Sequence, residues 1–144
     1  FLPKLGAALA AKGVEVRADA RAGMFMELAV PASDEDFGKE FLDLIVAVKV
    51  VRDVEEAVDH IARFGSRHTE AILSSSEDSI AFFRARVDAS CVIANASTRF
   101  NDGFQLVLGA EIGISTSKLH AYGPMGLEDL TTQRYEISGD FQTR

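Results

Sequence analysis

The residues best equipped for chemistry lie together in the second half of the chain. Asn95-Ala96-Ser97-Thr98-Arg99-Phe100 places an amide, two hydroxyls and a guanidinium within one short reach. A ligand carrying a carboxylate or a phosphate needs donors of that kind, and arginine is the preferred partner for such anions. The same residues also suit a polar loop in which Ser97 and Thr98 cap turns and Arg99 pairs with Asp102. Glu40 precedes an apolar pair, Phe41-Leu42, and its carboxylate could accept two hydrogen bonds from a vicinal diol. Cys91, the single cysteine, lies in Ala89-Ser90-Cys91-Val92-Ile93-Ala94. A reactive thiolate needs exposure and a neighbouring cation, base or helix N-terminus, so a cysteine inside an apolar strand reads as an inert core residue. His60, His68 and His120 share no metal-ligand spacing. Gly109, Glu111 and Gly113 match neither a P-loop nor a dinucleotide fingerprint.

The elements that hold these residues show in the periodicity. Leu2, Leu5 and Leu9 recur at helical spacing, with Gly13 at the position of a C-cap. Val14 to Arg17 fits a short strand, and residues 18–38 a polar loop with a helical turn. The run from Leu44 to Val51 is β-branched and almost unbroken, as in a strand covered on both faces. Asp53 and Glu56 form a capping-box pattern before a helix whose apolar face is Ala57, Val58, Ile61, Ala62 and Phe64, and Gly65 ends it. His68 to Leu73 is the next strand. Ser76 caps a helix carrying Ile80, Phe83 and Val87, and Ala89 to Ala94 is a further strand. Strands alternating with helices predict a parallel βαβαβ core of an α/β fold. That places Asn95 at the carboxyl end of the last core strand, where such sheets bind ligands. Beyond it the chain is punctuated by Gly103, Gly109, Gly113, Gly123 and Gly126, and Thr131 to Ile137 alternates like a terminal strand.

Composition narrows the function classes. The 144 residues suffice for one domain, and 47% hydrophobic with 26% charged residues is ordinary for a globular protein. A formal net charge of -7 and the absence of a basic stripe argue against nucleic acid. No apolar run reaches membrane length. One cysteine fits a reducing, cytoplasmic setting. The opening on Phe1 suits a piece of a longer chain.

Four segments together carry a family resemblance: Asn95 to Phe100; Leu108-Gly109-Ala110-Glu111-Ile112-Gly113-Ile114-Ser115-Thr116; Leu119-His120-Ala121; and Gly123-Pro124-Met125-Gly126-Leu127. They resemble the C-terminal part of the gamma-glutamyl phosphate reductases (glutamate-5-semialdehyde dehydrogenases), in the aldehyde dehydrogenase superfamily. The resemblance implies an NADPH-dependent, proline-biosynthetic enzyme that reduces gamma-glutamyl phosphate through a cysteine thioester. It places the nucleophile upstream of Phe1, so that residues 1–127 are part of a catalytic domain and 128–144 an oligomerisation strand and tail. It assigns Glu40 to the nicotinamide ribose, Phe41 and Leu42 to the walls of the ring site, and Asn95, Ser97, Thr98, Arg99 and Phe100 to the substrate. It also implies a homo-oligomer, drawn either from a single-function reductase or from a fused kinase-reductase. The chain departs from the family pattern twice, with Val107 where a glycine is expected and Tyr122 where an arginine is usual. If the glycine holds a positive φ, Val107 is strained. A non-catalytic α/β binding or oligomerisation module is the rival expectation. A piece of a larger enzyme should expose apolar surface, and an evolved module should not.

Overall fold

A computed structural model describes residues 1–141 and Thr143. The first helix, α1 (Leu2–Ala10), carries Pro3 in its first turn, where a missing N–H costs nothing. It closes through Val14 N–H donating to the Leu9 carbonyl at 3.0 Å, with Gly13 at φ 71 making the left-handed step. Leu2, Leu5 and Leu9 pack on a buried cluster of Val16, Ala18, Ala22 and Met26. Two of these belong to β1 (Glu15–Ala18) and one to the short α2 (Ala20–Gly23). Asp19 caps α2 by accepting from Ala22 N–H at 2.9 Å, and the same oxygen accepts from Val50 N–H at 3.1 Å, tying the turn to the next strand.

The segment read as a polar loop holds two further elements, β2 (Val30–Pro31) and a 3-10 turn over Asp34–Gly38. Both β2 and β3 (Ile45–Val48) pair parallel with β1, giving the order β2-β1-β3. Asp36 in the 3-10 turn is the one charged residue in the core among the described residues. It accepts from Ser33 N–H, Ser33 Oγ and Arg17 Nη1 at 2.8, 3.0 and 2.6 Å, and these bonds hold its carboxyl below the usual carboxylate range.

The helix α3 (Val54–Phe64) begins where Asp53 accepts from Glu56 N–H at 2.8 Å. The Glu56 carboxylate reaches past the cap to the Arg52 backbone N–H at 2.9 Å, so the reciprocal half of the box lands one residue early. Gly65 closes the helix. Ser76 caps α4 (Glu77–Arg86) by accepting from Ser79 N–H. Val58, Phe83 and Val87 form a second buried cluster, flanked by Ile72 and Val92 from the parallel pair β4 (Thr69–Ile72) and β5 (Cys91–Ala94).

The expected alternation of strands and helices is present, and the parallel pairing with it. A single βαβαβ sheet is not. Strands β3 and β4 do not pair, and the core divides into β2-β1-β3 and β4-β5. Periodicity reports which face of a strand is apolar but says nothing about which edges meet. The glycine-punctuated segment contains an antiparallel pair that was not anticipated, β6 (Gly113–Ser115) with β7 (Gly123–Met125). Residues 131–137, expected as a terminal strand, form none within this chain and are exposed. A strand needs a partner's hydrogen bonds, and none of the described residues offers them there. Positions 142 and 144 of the expected 128–144 tail lie outside the described residues.

The resulting surface is large. The accessible area is 10956 Å², whereas a compact monomer of this mass exposes about 7,200 Å². Phe1, Met24, Leu28, Leu42, Leu73, Leu119, Tyr135 and Ile137 are among the large apolar side chains left in solvent.

Candidate substrate site

Ser97 opens a 3-10 turn over Thr98–Phe100, its hydroxyl accepting from Arg99 N–H at 3.2 Å. Phe100 N–H then donates to the Ser97 carbonyl and Asn101 N–H to that of Thr98, both at 3.1 Å. Asp102 turns its carboxylate onto the backbone, accepting from Phe104 N–H at 2.9 Å and Gln105 N–H at 3.2 Å. The expected Arg99–Asp102 pair therefore does not form. Among the described residues Arg99 has no ion-pair partner.

An open cavity of about 370 Å³ lies over this turn, lined by Ser97, Arg99, Phe100, Asp102 and Gln105. Phe100 is 56% exposed and gives it an apolar wall. An unpaired guanidinium beside a hydroxyl and an aromatic face can receive a small anion with an apolar stem. Three of the five residues expected at the substrate thus line one cavity. Thr98 is exposed on the same turn without lining it.

Asn95 has a different employment. Its Oδ1 accepts from Ser74 N–H and its Nδ2 donates to the Ser74 carbonyl, each at 2.9 Å. Its φ of 55° lies in the left-handed region, which asparagine tolerates better than most residues. From this corner the chain doubles back beside β4 until Asn101 Nδ2 donates to Thr69 Oγ1 at 2.7 Å. Thr69 and Ser74 lie 32 and 21 residues from their partners, beyond the reach of any local pattern.

The residues expected at the cofactor lie elsewhere and do not share the cavity. Glu40 is exposed and makes no hydrogen bond or ion pair among the described residues. Phe41 is half-buried, with the Arg17 guanidinium 5.0 Å and Lys39 Nζ 5.8 Å from its ring centre. Leu42 is 88% exposed at a φ of 54°. Here a free carboxylate stands next to an aromatic ring fixed by two cations and an aliphatic side chain held outward. The carboxylate can accept two hydrogen bonds from a vicinal diol, as a ribose presents.

The remaining candidates are structural. Burial pushes the Cys91 thiol up, away from the thiolate. His120 Nε2 lies 2.7 Å from the Asp129 carbonyl oxygen and so closes the loop after β7. Tyr122 donates to the Arg67 carbonyl at 3.2 Å and stacks under Lys118 Nζ at 5.4 Å. Val107 has a φ of 60° with its side chain 88% exposed, the strained geometry expected where a glycine is replaced. Among the described residues no group of three or more His, Cys, Asp or Glu could hold a metal ion. Nor, among the described residues, is any helix long and apolar enough to cross a membrane.

Comparison with known proteins places these features. No protein-family model matches the sequence. Gamma-glutamyl phosphate reductase of Anaeromyxobacter sp. (strain K) is 57% identical over 148 residues, covering 100% of this chain and 35% of the relative. An enzyme of the same name from Thermus thermophilus is 57% identical over 144 residues, with the same coverage. The crystal structure of gamma-glutamyl phosphate reductase from Thermotoga maritima superposes with a TM-score of 0.91 at 44% identity, covering 100% of this chain and 35% of that one. The chain spans about a third of the length of the curated relatives it matches. By sequence and by fold, this chain corresponds over its whole length to a portion of gamma-glutamyl phosphate reductase.

Proposed function

We propose that the chain forms one wall of the active site of an NADPH-dependent gamma-glutamyl phosphate reductase, a cytoplasmic homo-oligomer of proline biosynthesis. The observation that carries this reading is the match across 100% of the chain to reductases of that name. In this reading Arg99 and Ser97 hold an anionic group of gamma-glutamyl phosphate. Thr98 contributes a hydroxyl at the rim, and Phe100 excludes water from the aliphatic stem. Asn95 shapes the turn through Ser74 and does not contact substrate.

Glu40 would accept the ribose hydroxyls of the cofactor, with Phe41 and Leu42 against its planar ring. The nicotinamide supplies the hydride when bound, and these residues do no more than orient it. The acylated nucleophile would belong to a part of the enzyme outside this chain, since burial pushes the Cys91 thiol up, away from the thiolate. Residues 131–137, exposed here, would pair as a strand with another subunit.

The surface supports this reading over that of a self-contained module. An accessible area of 10956 Å² and so many exposed large apolar side chains suit a body that packs against further protein. The test is an Arg99→Ala variant of the complete reductase, assayed as NADP- and phosphate-dependent oxidation of glutamate 5-semialdehyde. The expected result is a large rise in substrate KM, on the scale of a lost charge-assisted bond, about ten- to a hundredfold. Wild-type KM and kcat would remove Arg99 from the site.

A further inference from the structure

The turn that carries Arg99 is closed by its own short hydrogen bonds, but these set its shape and not its place on the rest of the protein. Ser97, Thr98, Arg99 and Phe100 are all exposed, so no apolar burial orients them. Beside the backbone bond from Asn95 N–H to the Ile72 carbonyl at 2.8 Å, a side-chain tie holds the turn at each end, one to β4 and one to the loop that follows it. At one end the Asn95 amide brackets the backbone of Ser74, just past the last residue of β4. At the other the Asn101 amide binds the hydroxyl of Thr69, the first residue of β4. The two anchor residues are separated by about 16 Å of extended chain. Strand β4 and the two residues after it thus carry both ties.

The Thr69 tie has a built-in direction. A threonine hydroxyl has one proton to give and two lone pairs to fill. Asn101 Nδ2 fills one lone pair, and His68 Nδ1 lies 2.6 Å from the same oxygen. Donating to Nδ1 leaves the hydroxyl proton satisfied and makes His68 the Nε2–H tautomer. Replacing the hydroxyl by a methyl would orphan Asn101 Nδ2 and His68 Nδ1 together. Asn101 Oδ1 and His68 Nε2 are already enclosed without a protein partner, so neither side chain has a second bond to fall back on.

We infer that Thr69, Asn95 and Asn101 are positioning residues, a two-point staple that sets the aim of Arg99 into the cavity. The inference rests on the reading of Arg99 as the anion ligand. The experiment uses the complete reductase carrying this segment, with the variants Arg99→Ala, Thr69→Val, Thr69→Ser, Asn101→Ala and Asn95→Gly. Glycine at position 95 keeps the left-handed backbone and removes only the amide. KM for glutamate 5-semialdehyde should rise roughly tenfold in Thr69→Val, Asn101→Ala and Asn95→Gly, while kcat stays close to wild type. Thr69→Ser, which keeps the hydroxyl, should restore KM. A rise in KM for Arg99→Ala alone, with the staple variants at wild-type KM whatever their melting temperatures, overturns the staple and leaves the site reading standing. Equal impairment of Thr69→Ser and Thr69→Val overturns the hydroxyl's role. No effect from Arg99→Ala removes the site reading and the staple's purpose with it. Should Thr69→Val fail to fold, Asn101→Ala against Thr69→Ser makes the same comparison.

Discussion

Replacing Val107 by glycine should make the protein more stable, an unusual expectation for removing an aliphatic side chain. Val107 sits at a φ of 60° with its side chain 88% exposed, so there is no packing to lose. Its N–H donates to the Phe104 carbonyl at 3.1 Å, a bond that glycine keeps. Holding an L-residue in the left-handed region costs about 1–2 kcal/mol, and a β-branched side chain belongs at the upper end of that range. Glycine returns about 0.4–1 kcal/mol of this through the freedom it adds to the unfolded chain. The net gain is about 1 kcal/mol, or roughly 2–4 °C in melting temperature for a chain of this size. The mirror experiment is Gly109→Val. Gly109 has a φ of 73° and nothing within 4 Å of an added Cβ, so any loss there is backbone strain alone. Thermal and urea melts of the two variants give the global effect. Amide exchange at Leu108, whose N–H donates to the Gly103 carbonyl at 2.8 Å, gives the local one. Exchange there should slow about fivefold in Val107→Gly. A Val107→Gly variant that melts no higher than the parent, with Gly109→Val costing nothing, would refute the assignment of strain to this turn.

Other outcomes follow from the packing. Phe83 is 3% exposed in the cluster with Val58 and Val87, so Phe83→Ala should cost about 3–5 kcal/mol. Because the α1 side has its own cluster, exchange protection should fall in β4 and β5 and persist in β1 and β3; equal loss in both would show one core. At Gly103 an added Cβ would run into the Ala110 carbonyl oxygen, whereas at Gly23 it meets nothing within 4 Å. Gly103→Ala should therefore destabilise by about 1–3 kcal/mol and Gly23→Ala should be neutral or mildly stabilising, as paired melts would show. Burial raises the carboxyl of Glu70 above its ordinary value. Its contribution to stability is full at pH below the ordinary glutamate range and is lost as pH rises through the folded value. Glu70→Gln should thus match the parent below the ordinary glutamate range and exceed it at higher pH, levelling off above the folded value; a constant difference across that range would exclude the linkage.

Much of the fold could be read from short-range signals. Asp53 and Ser76 announce their helices because a cap is a contact between residues three apart. The apolar runs ending at Val48, Ile72 and Ala94 announce strands because burial imposes their composition. The strain at Val107 follows from its positive φ, which the resemblance anticipates only if the family's glycine holds that angle. What stayed hidden depends on distance along the chain or on weak local preference. β6 and β7 contain Gly113, Gly123 and Pro124, residues that carry no strand signal, and pair because the hairpin brings them together. The separation of two sheets depends on which edges meet. The same limit applies to the site: Ser97, Arg99 and Phe100 were visible as a cluster of donors and an aromatic, but Ser74 and Thr69, which hold that cluster, carry no mark of it.

The uncovered apolar area also governs how copies of the chain behave toward one another. A net charge of -7 gives every copy the same sign, and at low ionic strength that repulsion acts over a distance longer than the apolar attraction. Salt at about 0.1 M shortens its reach to about 10 Å, and lowering the pH toward the sequence pI of 4.9 removes it altogether. Colloidal stability of the isolated chain should therefore follow its charge, greatest in dilute alkaline buffer and reduced on salting or acidification.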